Sequence, residues 1–89
     1  MMYPYIVLAD ETEITHSQII EKEGIQYVEV HFERATENGF DTARCVLPDY
    51  RWTKIIGYTD LEIEKFNEFL KHNAHLLYKY ASSGGIHIA

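Results

Sequence analysis

"VEVHFERATENGFDTARCVL", residues 28–47, decides how this chain folds. Two alternating runs flank Asn38-Gly39, a dipeptide suited to a hairpin turn whose central residues both need positive φ. With those two residues as the whole loop, Phe32 falls opposite Cys45, Val30 opposite Leu47 and Arg34 opposite Ala43. On the reverse face, Glu33 falls opposite Arg44 and His31 opposite Val46. Val28, Val30, Phe32, Cys45 and Leu47 then share one apolar face, while Tyr27, Glu29, His31, Glu33 and Arg44 share the polar one. A slip of one residue would scramble both faces.

Upstream, "YPYIVLAD" reads as a strand because it is rich in aromatic and β-branched residues. Thr and Ile in "ETEITHSQIIEKEG" favour a second strand over a short helix, and Gly24 favours a tight turn with the glycine left-handed. The expected sheet has four antiparallel strands near 3–9, 13–21, 25–35 and 40–47. Pro48 ends the fourth, since it cannot donate to a ladder. "DYRWTKIIG" is a loop or a short fifth strand, anchored to the core by Trp52, Ile55 and Ile56.

Downstream, residues 60–81 predict a long helix. Thr59 and Glu62 form a T-x-x-E capping box, with Tyr58 and Ile63 as its hydrophobic staple. Ser82-Ser83-Gly84-Gly85 supplies the stop. At 100° per residue, Ile63, Phe66, Ala74, Leu77 and Ala81 fall within about 40° of Leu70 and form the core stripe. Phe69, Leu76 and Tyr80 flank it, so the apolar arc is wider than one sheet contact requires. This flank is a candidate subunit interface, unless the sheet or the 50–58 segment covers it.

The fold class is therefore α+β: a four-stranded antiparallel meander, with a short fifth strand as an option, and one long C-terminal helix on one face. Residues 1–89 form a single domain, with 82–89 as a tail free to move. "SSGGIHIA" can stay disordered, dock on its own sheet or add a strand to a neighbour.

The totals narrow the function. A chain of 89 residues has a thin core, and its one cysteine, Cys45, allows no internal disulfide. Cores of this size are often completed by a second copy, which favours a homodimer. The formal charge of −6 disfavours non-specific nucleic-acid binding. No apolar run reaches the roughly 20 residues of a membrane span, and the start lacks the basic region of a signal peptide. A cytoplasmic setting is expected.

Chemistry is sparsely signalled. His72 and His75 lie three apart on the helix, a spacing able to hold a metal with Glu68. Periodicity places both away from the core, and zinc sites usually take three or four ligands. No metal and no cofactor are expected. His16 and His87 stand alone in sequence and read as ordinary residues. The set His31, Glu33 and Arg44 is the candidate catalytic cluster, because a carboxylate beside a histidine does acid–base work and an arginine holds an anion. Its bland alternative is a solvated sheet face. Arg34, Arg44, Arg51 and Lys54 with Tyr50 and Trp52 form a short basic–aromatic mix of the kind that stacks bases. The layout resembles that of many small bacterial proteins, and no motif ties it to a characterised family. The favoured function is a non-catalytic protein-interaction module. A small nuclease-like or ligand-processing enzyme is the alternative, and a weak nucleic-acid-binding regulator the second.

Overall fold

The computed structural model describes residues 1–85 of the chain. Tail residues 86–89, with His87, lie outside the described residues. An antiparallel sheet lies against one helix, so the α+β class holds. The elements are β1 (Tyr3–Val7), β2 (Glu13–His16), β3 (Ile20–Lys22), β4 (Ile25–Thr36), β5 (Gly39–Leu47), β6 (Arg51–Ile56) and α1 (Asp60–Ser83). The sheet order is β1-β2-β4-β5-β6, with β3 also paired to β4. Among the described residues no helix is long and apolar enough to cross a membrane.

The strand count corrects the expected four in two places. The segment near 13–21 divides, because the chain slips by one residue between the Glu13↔Glu33 ladder and the Ile20↔Tyr27 ladder. Ser17 covers the slip: its backbone N–H donates to the Glu29 carbonyl at 2.9 Å, and its hydroxyl accepts from the Glu29 N–H at 2.9 Å. A short side chain thus replaces a ladder partner. The segment after Pro48 forms a full strand, β6, pairing Trp52 with Cys45 and Lys54 with Arg44. Trp52 packs on the core, but Ile55 and Ile56 are 47% and 53% exposed, so they do not anchor β6 as expected.

The central hairpin keeps its predicted faces and shifts its partners by two residues. Val28 pairs with Leu47, Val30 with Cys45, Phe32 with Ala43 and Thr36 with Gly39, so Glu37-Asn38 is the turn rather than Asn38-Gly39. A shift of two leaves every side chain on its own face, so burial cannot choose between the registers. Only the observed register sets Arg34 opposite Asp41, within its cluster of three carboxylates, and it does so at the loss of Glu33 opposite Arg44. Within this turn the positive φ falls at Gly39 alone, at 139°. The turn with two positive φ values lies instead at Glu23 (53°) and Gly24 (80°), joining β3 to β4.

The core fills the space between the sheet and α1. Val28, Val30, Phe32, Ala43, Cys45 and Leu47 meet Ile63, Phe66, Leu70, Leu77 and Ala81 there, while Ala74 is half-buried at its rim. Phe32 stacks on Phe66 with centroids 4.3 Å apart, and Tyr58 meets Phe66 edge-on at 5.0 Å. Two asparagines latch the helix flanks. The Trp52 Nε1–H donates to Asn67 Oδ1 at 3.1 Å, and the Tyr5 hydroxyl donates to Asn73 Oδ1 at 2.7 Å. Thr59 caps α1 through the full capping box with Glu62, and Gly84 (φ 78°) closes it in the left-handed region.

Arg34 ties these parts at the start of α1. Its Nη1 donates to Asp10 Oδ2 and Glu62 Oε2, both at 2.9 Å, and its Nη2 to Asp41 Oδ2 at 2.7 Å. The guanidinium also lies 4.8 Å over the Tyr58 ring. The Thr59 backbone N–H and then Arg34 hold the Glu62 carboxyl below its ordinary range. Burial alone would raise Asp10, but the Thr12 hydrogen bonds and Arg34 together bring it down. Gly57 (φ 86°) completes the junction, since a Cβ there would overlap the Asp41 carboxylate.

Two outcomes follow from this junction. Groups with depressed folded values stabilise the fold above their ordinary range and lose that effect as pH falls. Arg34→Met is therefore expected to destabilise by about 2–3 kcal/mol at neutral pH, less than for a fully buried pair because the side chain is partly exposed. The gap from the native chain should shrink as pH drops below about 4.5, the ordinary value for Glu62, in urea melts run from pH 7 to pH 3. An undiminished gap would refute the clamp. Gly57→Ala should cost about 1–3 kcal/mol from its backbone alone, read as a lower thermal midpoint.

Candidate functional site

The helix covers one side of the sheet, and the candidate catalytic residues lie on the other. Alternation along β4 and β5 sends Tyr27, Glu29, His31, Glu33 and Arg44 to this open side, opposite the buried set. The two-residue register shift rearranges them. His31 faces Arg44 directly, not Val46, and Glu33 faces Thr42, not Arg44. On its other flank, His31 faces Thr15 and Glu33 faces Glu13.

The carboxylate joined to His31 is Glu29, two residues along the same strand, with Nε2 to Oε1 at 2.6 Å. The His31 side chain is only 12% exposed and Glu29 34%. A paired carboxylate orients an imidazole. Sequence reasoning placed Glu29 on this face but chose Glu33 as the partner, because the expected register set Glu33 beside Arg44. Shallow hollows flank this dyad. One of about 340 Å³ is lined by Tyr27, Glu29, Val46 and Arg51 among others. Another of about 340 Å³ is lined by Val7, Glu13, Glu33 and Phe40 among others. Neither is lined by His31 or Arg44.

Arg44 is the unsatisfied member of the set. Its Nε–H has lost contact with solvent and has no acceptor. Its other cross-strand neighbour is Lys54, so His31, Arg44 and Lys54 form one row across three strands. Arg51 adds a further cation two pairs along, opposite Val46. The basic–aromatic mix divides between the two sides. Arg44, Arg51 and Lys54 gather on the open face, while Arg34 is bound by its three carboxylates beside the helix. Trp52 and Tyr50 both pack against the core.

The helix flank is half-covered from β1. Phe69 meets Tyr5 edge-on at 6.1 Å, and Tyr80 lies 6.1 Å from the same ring. Phe69, Leu76 and Tyr80 each remain partly exposed. Beside Phe69, a hollow of about 380 Å³ opens between the β1–β2 turn and α1, floored by Phe66 and Phe69. His72 and His75 are exposed on the helix, and Lys71 rather than a histidine meets Glu68, at 3.6 Å. Among the described residues no group of three or more His, Cys, Asp or Glu side chains is placed to hold a metal ion. Cys45 is fully buried, and burial pushes its thiol up to about 12, which leaves little thiolate for nucleophilic work.

His16 is the residue that sequence reasoning passed over. It is fully buried, with Nδ1 2.8 Å from the Ser17 carbonyl. A carbonyl only accepts, so Nδ1 carries the proton. Nε2 is left without a partner, and the rings of Tyr3 and Tyr5 lie 5.7 and 6.3 Å away. Alternation was the available signal, since Ile14 and His16 share the inward face of β2.

Compared with known proteins, the chain matches no family model, and no curated protein or solved structure is significantly similar to it.

Proposed function

We propose that this protein is a small cytoplasmic interaction module, non-catalytic, that works through protein contacts as a homodimer. The observation that carries the reading is the helix flank, where Phe69, Leu76 and Tyr80 stay partly exposed and Phe69 lines an apolar hollow. A second copy seated there would bury the apolar surface that a thin core cannot cover. Light scattering over a range of concentrations should show a dimer. Leu76→Glu should return it to monomer while circular dichroism and the melting temperature stay near those of the native chain. A native chain that is monomeric throughout removes the dimer.

A second reading, a small ligand-processing enzyme, draws on the Glu29–His31 hydrogen bond beside Arg44. In this reading Glu29 orients His31, Arg44 holds an anionic substrate, and Glu33 sits two pairs away. RNA oligonucleotides and phosphate monoesters are the substrates to assay. The interaction reading predicts the same background turnover in the native chain and in His31→Ala. Turnover that His31→Ala abolishes would replace it with the enzyme.

A further inference from the structure

We propose that the β6 edge binds an extended segment of another protein in which acidic residues alternate with apolar ones, added as a further strand of the sheet. This rests on the interaction-module reading but not on the dimer.

β6 ends the sheet order, so its outer backbone edge faces no strand among the described residues. The opposite edge is guarded. β1 carries Pro4, a residue that discourages strand addition. β6, Arg51–Ile56, has no proline.

Its two faces differ. On the core side, Trp52 and Ile55 pair with Cys45 and Ala43, and Ile55 is 47% exposed. On the open side, Arg51, Lys54 and Ile56 pair with Val46, Arg44 and Thr42. The bulge at Thr53 brings Arg51 and Lys54, three apart in sequence, to neighbouring outward positions. A strand laid alongside would therefore meet two neighbouring cations followed by Ile56 on one face, and Trp52 and Ile55 on the other.

The charge pattern selects the occupant. Lys54 faces Arg44, and Arg44 faces His31, although like charges directly opposite are unfavourable. Among the described residues Arg44, Arg51 and Lys54 have no carboxylate within ion-pair distance, in a chain of net charge −6. The orphaned Nε–H of Arg44 also lacks an acceptor. Carboxylates from an added strand would lie beside Arg51 and Lys54, the two of these cations on the edge strand itself.

A second copy does not fit this edge. Antiparallel self-pairing that keeps inward with inward, whether Trp52 lies opposite the other Ile55 or Ile55 opposite its own copy, would gather Arg44, Arg51 and Lys54 from both copies on one face. The cations that attract an acidic strand therefore repel the chain's own edge.

Trp52 is the chain's only tryptophan and lies on β6, so its emission reports strand addition directly. The test titrates the full chain with an octapeptide alternating Glu and Val. Its controls are a Lys/Val counterpart, a Glu/Val peptide in block order, and the alternating peptide N-methylated along one backbone edge. Saturable binding of the alternating acidic peptide alone is expected, weakening as salt rises. Lys54→Gln and Arg51→Gln should each weaken it by about fivefold at most, the span of an exposed ion pair. Comparable binding of any control, no binding of the acidic peptide, or equal affinity for both variants and the native chain would overturn the proposal. Light scattering on the same solutions separates the two readings. A monomer that binds the peptide defeats only the dimer, and a dimer that ignores it defeats only this inference.

Discussion

The guanidinium of Arg34 meets carboxylates from three separate segments: Asp10 in the β1–β2 turn, Asp41 on β5 and Glu62 in the first turn of α1. One cation among three anions holds the sheet, the turn and the helix start in fixed relation. Glu62 is shared between this cluster and the capping box, so the helix begins where Arg34 can reach it. Tyr58, just before the cap, lies under the guanidinium and edge-on to Phe66. The polar junction and the aromatic core therefore meet through one ring, and the angle at which α1 crosses the sheet depends on both.

With α1 on one side, the other side of the sheet is left open. A chain this short has a single helix to spend, and Phe32, Phe66 and Leu70 use it to close one face. The open face then collects what the interior cannot hold. His31 and Glu29 share a short hydrogen bond there, and Arg44 lies over the strands with an unsatisfied N–H. An antiparallel sheet tolerates such a face because water serves it. Its polarity alone signals nothing. The proposed strand partner rests instead on neighbouring cations that have no counter-charge among the described residues, beside a strand edge that none of those residues pairs.

The helix was almost wholly legible in sequence. Its cap, its stop and its buried stripe depend on spacings of three and four residues, which neighbours along the chain determine. The candidate site was legible only by face. Period-two alternation placed His31, Glu33 and Arg44 on one side, but it could not say which carboxylate meets the imidazole. A register two residues away preserves every face and changes every partner. His16 was missed for a related reason. A histidine in a polar stretch looks solvated until the strand that buries it is paired between β1 and β4.

By itself the sequence determined an α+β chain, the membership of each face of β4 and β5, and a capped helix with its histidines outward. These follow from local geometry and from the separation of apolar and polar groups. Tertiary structure alone decided the hairpin register, the division of the second strand at Ser17, the addition of β6 as an edge, and the partners of Arg34. Each of these depends on contacts between residues distant in the chain, where several arrangements bury the same apolar area. Among them, the pairing of charge and the satisfaction of backbone groups select one.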